Sequence, residues 1–243
     1  MMSATLADER LIVALDFHKA DDVKKLVDEL GDKIIFYKVG MELFYSVGAE
    51  VIDFLKSRNK KIFLDLKLHD IPATVAGGLC SLANLGANIL NVHAFGGFTM
   101  MKNSAEKLRE ESERLGIEKP KLVAITVLTS INQDDWNGLG LSQTKISDTV
   151  IRLAKSAKSA GLDGVVASPQ EAGLIREACG EDFLIITPGI RPAGSDINDQ
   201  SRISTPAAAI KNGANYLVVG RPIRAAKNPV EAAENILKEI AGI

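Results

Sequence analysis

Aromatic side chains are scarce in this sequence: they fill 5% of its 243 positions and include one tryptophan, Trp136. Proteins that bind single strands rely on aromatic stacking platforms, so that class of partner is excluded. An excess of one charge is missing too. The 29 Lys+Arg and 31 Asp+Glu leave a net −2, which argues against a chain built to track a nucleic-acid backbone or an anionic membrane. No apolar run reaches the ~18 residues of a membrane span. The start, Met1 to Arg10, carries Asp8 and Glu9 where a secretory signal would be basic and then apolar. Cys80 and Cys179 stand far apart with no CxxC pair, so neither a zinc site nor a disulfide framework is expected, and both read as small buried thiols. His18, His69 and His93 are not at metal-ligand spacing and read as packed or hydrogen-bonded side chains. A cytoplasmic address is expected.

What is present is a rhythm. Short aliphatic or β-branched runs occur at 11–16, 34–40, 61–68, 88–94, 121–128, 164–168, 183–190 and 216–221. Most are too apolar for a strand with one wet face and suit parallel strands buried on both faces. Amphipathic stretches of helical spacing lie between them, among them 20–30, 42–57, 72–86, 98–115, 143–160 and 229–241. Eight such units of about thirty residues each predict an α/β protein, a single (β/α)8 TIM barrel over residues 1–243. A doubly wound open sheet is the alternative. It would normally place a glycine-rich turn after the first strand, where this chain has Asp16-Phe17-His18, with no GxGxxG and no GxxxxGK[ST]. Thr129 to Gly140 and Arg191 to Ser204 are the longest irregular stretches, and Trp136 reads as a loop anchor in the first.

In a barrel, reactive side chains gather where strands end and the following loops begin. Here those places hold Asp16, Lys38, Asp65 with Lys67, His93, and Gly220-Arg221. Polar groups inside buried strands are costly unless paired. In Asp65-Leu66-Lys67-Leu68-His69-Asp70 a period of two turns Asp65 and Lys67 to one side and Leu64, Leu66 and Leu68 to the other. A carboxylate and an ammonium thus enter the barrel mouth together, and taken alone they read as a buried ion pair. Asp70 precedes Ile71-Pro72, where the chain must leave the strand, so it belongs to the following loop. Gly220, Arg221 and Pro222 suit a phosphate, through close backbone approach, a planar multi-donor head and the start of a helical turn.

The run Asp65-x-Lys67-x-x-Asp70 followed by Ile71-Pro72-x-Thr74 resembles the signature of the orotidine 5′-monophosphate decarboxylase family. Asp16 in LIVALD, Lys38 in FYKVG, Thr129 in TVLTS, PGIR at 188–191, Gln200 and VVGR at 218–221 follow in the family's order. The likeness is greatest to the monofunctional bacterial form. The resemblance implies loss of CO2 from C6 of the orotate ring to give uridine 5′-monophosphate, the last step of de novo pyrimidine nucleotide synthesis, with no metal and no organic cofactor. It implies Lys67 as proton donor to C6, Lys38 holding Asp65 and touching the ribose, Asp16 accepting from ribose hydroxyls, and Asp65 and Asp70 near the departing carboxylate. Flanking carboxylates favour the ammonium form of buried lysines, which suits the alternating series Lys38, Asp65, Lys67, Asp70.

By the same resemblance Thr129 is expected to read the pyrimidine edge and Gly220 with Arg221 to hold the phosphate. Gln200 would reach phosphate or base from a lid spanning Arg191 to Ser204 and turning at Gly194, with Arg191 a further substrate contact. Asp70, Ile71 and Thr74 are implied to reach a partner subunit's site across a twofold homodimer. Two rival readings remain. Sugar-phosphate decarboxylases and hexulose-phosphate synthases share Asp-x-Lys-x-x-Asp but use Mg2+, usually with a glutamate near the place of Lys38, where an ammonium would repel the ion. A non-catalytic nucleotide-binding barrel would keep the pocket without turnover.

Overall fold

The computed structural model describes residues 7–192 and 204–242. Eight parallel strands close into a barrel in chain order: β1 Leu11–Ala14, β2 Phe36–Gly40, β3 Lys61–Leu68, β4 Ile89–His93, β5 Lys121–Ile125, β6 Gly164–Val166, β7 Leu184–Thr187 and β8 Tyr216–Val219. Closure comes from β8 pairing with β1 through Leu11↔Leu217 and Val13↔Val219, which leaves the sheet without an edge. Every expected apolar run contains a strand, and β3 fills its run completely. The open-sheet alternative is thereby overturned.

Around the barrel run α1 Ala20–Leu30, α2 Met41–Val47, α3 Glu50–Ser57, α4 Pro72–Ala83, α5 Gly97–Leu115, α6 Gln133–Gly138, α7 Ile146–Ser159, α8 Ala172–Cys179, α9 Pro206–Lys211, α10 Arg221–Arg224 and α11 Pro229–Ala241. The expected stretch 42–57 is two helices rather than one. Gly48 turns the chain there at φ 68, and its N–H closes α2 on the Phe44 carbonyl. Thr129 to Gly140 is not wholly irregular either. Asn132 and Asp135 cap α6 reciprocally, and Trp136 is buried within it, its Nε1 donating to the Thr144 carbonyl at 2.9 Å. Of the two thiols, Cys179 is buried as expected while Cys80 is only partly so. No described helix is long and apolar enough to cross a membrane.

Strand alternation creates two cores. Side chains facing outward, among them Leu64 and Leu66, pack under the helices, with Leu68 partly buried against them. Those facing inward, Ile12, Phe36, Phe63, Ile89, Val123, Ile186 and Val218, fill the barrel axis. Each fully buried aliphatic or phenyl side chain contributes about 1.5–3 kcal/mol. One inward position further along, β2, β3 and β4 carry Lys38, Asp65 and Asn91, whereas β5 carries Ile125. The barrel is therefore apolar in its lower tier and charged on one side of its upper tier.

Candidate active site

Strands β2 and β3 lie in a register that sets Gly40 opposite Asp65. From β2, Lys38 Nζ donates to Asp16 Oδ1 at 3.0 Å and lies 3.5 Å from Asp65 Oδ2. From β3, Lys67 Nζ donates to Asp65 Oδ1 at 2.8 Å. Burial opposes the Lys38 ammonium, but the carboxylates of Asp65 and Asp16 outweigh it and hold its pKa above the ordinary lysine value. Burial also opposes the Asp65 carboxylate. The charges of Lys38 and Lys67, with hydrogen bonds from Lys67 and Asn91, overcome that penalty and hold Asp65 below the ordinary carboxylate value. Gly40 belongs to this network, since a Cβ there would stand 2.9 Å from Lys38 Nζ.

Along β3 the side chains alternate as expected, Asp65 and Lys67 facing the mouth and Leu64, Leu66 and Leu68 the helices, but the backbone pairing with β4 slips. Phe63↔Ile89 and Leu64↔Leu90 pair in register with β4, but Leu68 pairs with Val92, so the register shifts between these points. Within the shift Lys67 takes φ 53, a left-handed backbone that lysine seldom adopts. Asn91 spans the gap from β4: its Oδ1 accepts from the Lys67 N–H at 2.8 Å and its Nδ2 donates to Asp65 Oδ1 at 2.6 Å. The sequence reading omits Asn91. Its signal is an amide in the interior of the apolar run NILNVHA, which Asn88 opens, two residues before His93 and therefore on the same face. His93 stacks on His69 with ring centroids 5.3 Å apart, and burial, followed by the charges of His69 and Lys67, pushes its imidazole below the ordinary histidine value.

A cavity of about 280 Å³ opens over this network, with Lys38, Asp65, Lys67, Ile125, Thr129 and Pro188 in its wall. Thr129 is buried there. Arg191 is 7% exposed and its Nη1 donates to the Ile190 carbonyl at 2.9 Å. Burial, with the neighbouring charge of Arg221, holds its guanidinium below the ordinary arginine value. Two guanidinium groups in each other's field form a place suited to an anion. Arg221 opens α10 directly after Gly220, where a Cβ would make only ordinary contacts, at 3.5 Å, with Ala14 and Asp16. Packing within the chain therefore leaves room for a side chain at Gly220, and the expected close approach concerns the ligand alone. A larger cavity of about 590 Å³, lined by Lys56, Lys61, Lys121 and Tyr216, lies at the opposite end of the barrel.

The structure does not bring Asp70 to Lys67 within one chain. Asp70 is exposed and makes no ion pair among the described residues, its Oδ1 accepting from the Ile71 N–H at 2.6 Å. Ile71 is 66% exposed, and Thr74, in the first turn of α4, is exposed as well. His18 pairs with Glu42 at 3.0 Å on the surface. Gln200 and Gly194 lie outside the described residues.

Residues 9–236 match the model of a protein family described as "Orotidine 5'-phosphate decarboxylase / HUMPS family". The chain belongs to this family. Among its curated relatives is the orotidine 5'-phosphate decarboxylase of Geotalea daltonii, 47% identical over 239 residues that cover 98% of this chain and 99% of the relative. Another, from Moorella thermoacetica, is 47% identical over 234 residues, covering 96% and 93% of the two chains. A crystal structure of orotidine 5'-phosphate decarboxylase from Lactobacillus acidophilus superposes with a TM-score of 0.84 at 43% identity, covering 96% of this chain and 99% of that one. The family thus accounts for the barrel, and the charged upper tier lies within the matched residues.

Proposed function

We propose that this chain catalyses the decarboxylation of orotidine 5′-monophosphate to uridine 5′-monophosphate and CO2 in pyrimidine biosynthesis. The observation that carries the reading is the unbroken line Asp16, Lys38, Asp65, Lys67, alternating in charge and set under a cavity, in a member of a family named for this reaction. Breaking the C6–carboxylate bond leaves an electron pair in an in-plane orbital that the ring does not readily delocalise. The barrier reduction required lies toward the upper end of the ~8–23 kcal/mol enzymatic range. Preorganised charge is the largest source of such stabilisation. The Lys67 ammonium faces the developing charge and then delivers a proton to C6. Asp65 aims that ammonium, and Lys38 aims Asp65 while reaching, with Asp16, toward the ribose hydroxyls.

Thr129 reads the pyrimidine edge. Arg221, aided by Gly220 and Arg191, holds the phosphate, whose binding energy is spent on orienting the reacting carbon. Gln200 adds a contact from the segment following Arg191. In this reading Asp70, Ile71 and Thr74, exposed and unpaired with Lys67 in their own chain, complete the site of a second copy in a homodimer. The whole chain acts as one catalytic domain in the cytoplasm, with neither a nucleic-acid nor a membrane partner. No metal is required, because Lys38 and Lys67 already neutralise the carboxylates that a divalent cation would seek.

The test is absorbance during addition of orotidine 5′-monophosphate, before and after exhaustive chelation. Rapid conversion that survives chelation is expected. An unchanged spectrum sinks the reading, and a rate restored only by Mg2+ points instead to enediolate chemistry of the hexulose-phosphate kind.

A further inference from the structure

We infer that Asn91 is a positioning residue that clamps Lys67 and Asp65 together across the irregularity in β3. The inference rests on the decarboxylase reading for its kinetic readout, while its geometry stands apart from it. The register shift takes Lys67 out of the regular β3–β4 ladder and into a left-handed backbone. A backbone N–H so placed must find another acceptor or remain unpaired. Asn91 Oδ1 is that acceptor, at 2.8 Å, and the same amide's Nδ2 donates to Asp65 Oδ1 at 2.6 Å. Asp65 Oδ1 is also the atom that receives Lys67 Nζ. One rigid planar group therefore fixes both the backbone that launches the Lys67 side chain and the carboxylate that aims its tip.

The chemistry at this position admits few substitutes. A backbone N–H needs an oxygen and a carboxylate needs a donor, so the two partners dictate which way the amide faces. Aspartate would retain the acceptor for Lys67 but set a like charge beside Asp65. Leucine, of similar shape, would serve neither. Asn91 is 2% exposed and absent from the wall of the 280 Å³ cavity, so it acts through Asp65 and Lys67 and does not touch substrate. A misplacement of about 1 Å at a reacting group costs on the order of 100-fold in rate. That figure sets the size of the effect expected from releasing the clamp.

Asn91→Leu and Asn91→Asp separate the two bonds. Asn91→Leu is expected to lower kcat by about 100-fold while the Kd for uridine 5′-monophosphate stays within about threefold, because the proposed phosphate contacts lie on the opposite side of the barrel. Asn91→Asp is expected to lower kcat and to move the acid limb of its pH profile upward, since Asp65 loses a donor and gains a like charge. Amide exchange at Lys67 should quicken in Asn91→Leu and stay slow in Asn91→Asp. A kcat within threefold of wild type in the folded variants overturns the proposal. So does a lowered kcat with the acid limb and the Lys67 amide unmoved, which would leave Asn91 a packing residue. If Asn91→Leu fails to fold, the isosteric Asn91→Asp decides by its pH limb. If neither folds, the wild-type Lys67 amide decides: exchange as fast as in an exposed loop overturns the clamp, and strong protection supports it. If wild type leaves orotidine 5′-monophosphate unchanged, the functional reading falls alone, and the clamp is still judged by amide exchange.

Discussion

At Lys67 the chain spends a rare backbone conformation to place one ammonium, and the surrounding charges explain why it stays where it is. Replacing it isolates its contribution. Lys67→Ala should lower kcat by at least about 1,000-fold, while uridine 5′-monophosphate, measured by calorimetry, binds within tenfold of wild type. Retention of kcat would remove Lys67 from the chemistry. Asp65 provides a second test, through pH. Its folded pKa lies below its ordinary value, so the unfolded chain takes up the proton first as pH falls. The stability it confers is complete above about pH 4 and is lost as pH drops through the lower, folded value. Asp65→Asn takes the carboxylate away from Lys67 and leaves Lys38 with Asp16 alone, and should cost about 3–5 kcal/mol at neutral pH. Urea unfolding should show that gap narrowing below about pH 4, where the unfolded wild-type chain takes up a proton that folded Asp65 does not yet bind. A gap that stays constant with pH would show that the ion pairs are not its source.

At the scale of elements, barrel closure depends on how closely neighbouring strands approach. Gly164 opens β6 beside β7, and a Cβ there would collide with the Leu184 carbonyl oxygen, a backbone atom that has no rotamer to yield. Gly164→Ala should therefore cost about 1–3 kcal/mol, read as a lower denaturation midpoint, with kcat nearly unchanged in the protein that remains folded. An unaltered midpoint would mean that β7 shifts freely. The eight strands were legible because a buried parallel strand must be apolar on both faces, so each polar side chain inside one stands out. Lys38, Asp65 and Lys67 were legible for that reason, and Asn91 carried the same signal without a charge to advertise it. The β3 irregularity was hidden, since nothing in the alternating pattern of β3 marks it and the amide that meets the Lys67 N–H sits on the next strand. The break at Gly48 and the short α6 were hidden as well. A sixteen-residue amphipathic pattern runs through a turn unnoticed, and six residues are too few to show a period.

At the scale of the whole molecule, a net charge of −2 conceals a separation of charges. Lys38, Asp16, Asp65 and Lys67 nearly cancel within the mouth, while Arg191 and Arg221 sit together beyond them, so the strong fields are local. Asp70 is the member of the sequence motif that this arrangement leaves outside. It projects from the end of β3 beside an Ile71 that is 66% exposed, an apolar side chain that a lone subunit leaves in water. A twofold interface would bury that side chain and bring each Asp70 to the partner's Lys67 in the same operation, because symmetry makes the exchange reciprocal. Lys67→Ala and Asp70→Ala should each be inactive alone. Mixed in equal amounts and allowed to exchange subunits, half of the dimers become hybrids, each with one complete site and one site lacking both groups. Activity should then rise to about a quarter of the wild-type level. No recovery, with subunit exchange verified by differently tagged chains, would place Asp70 outside the partner's site and end the alternating series at Lys67.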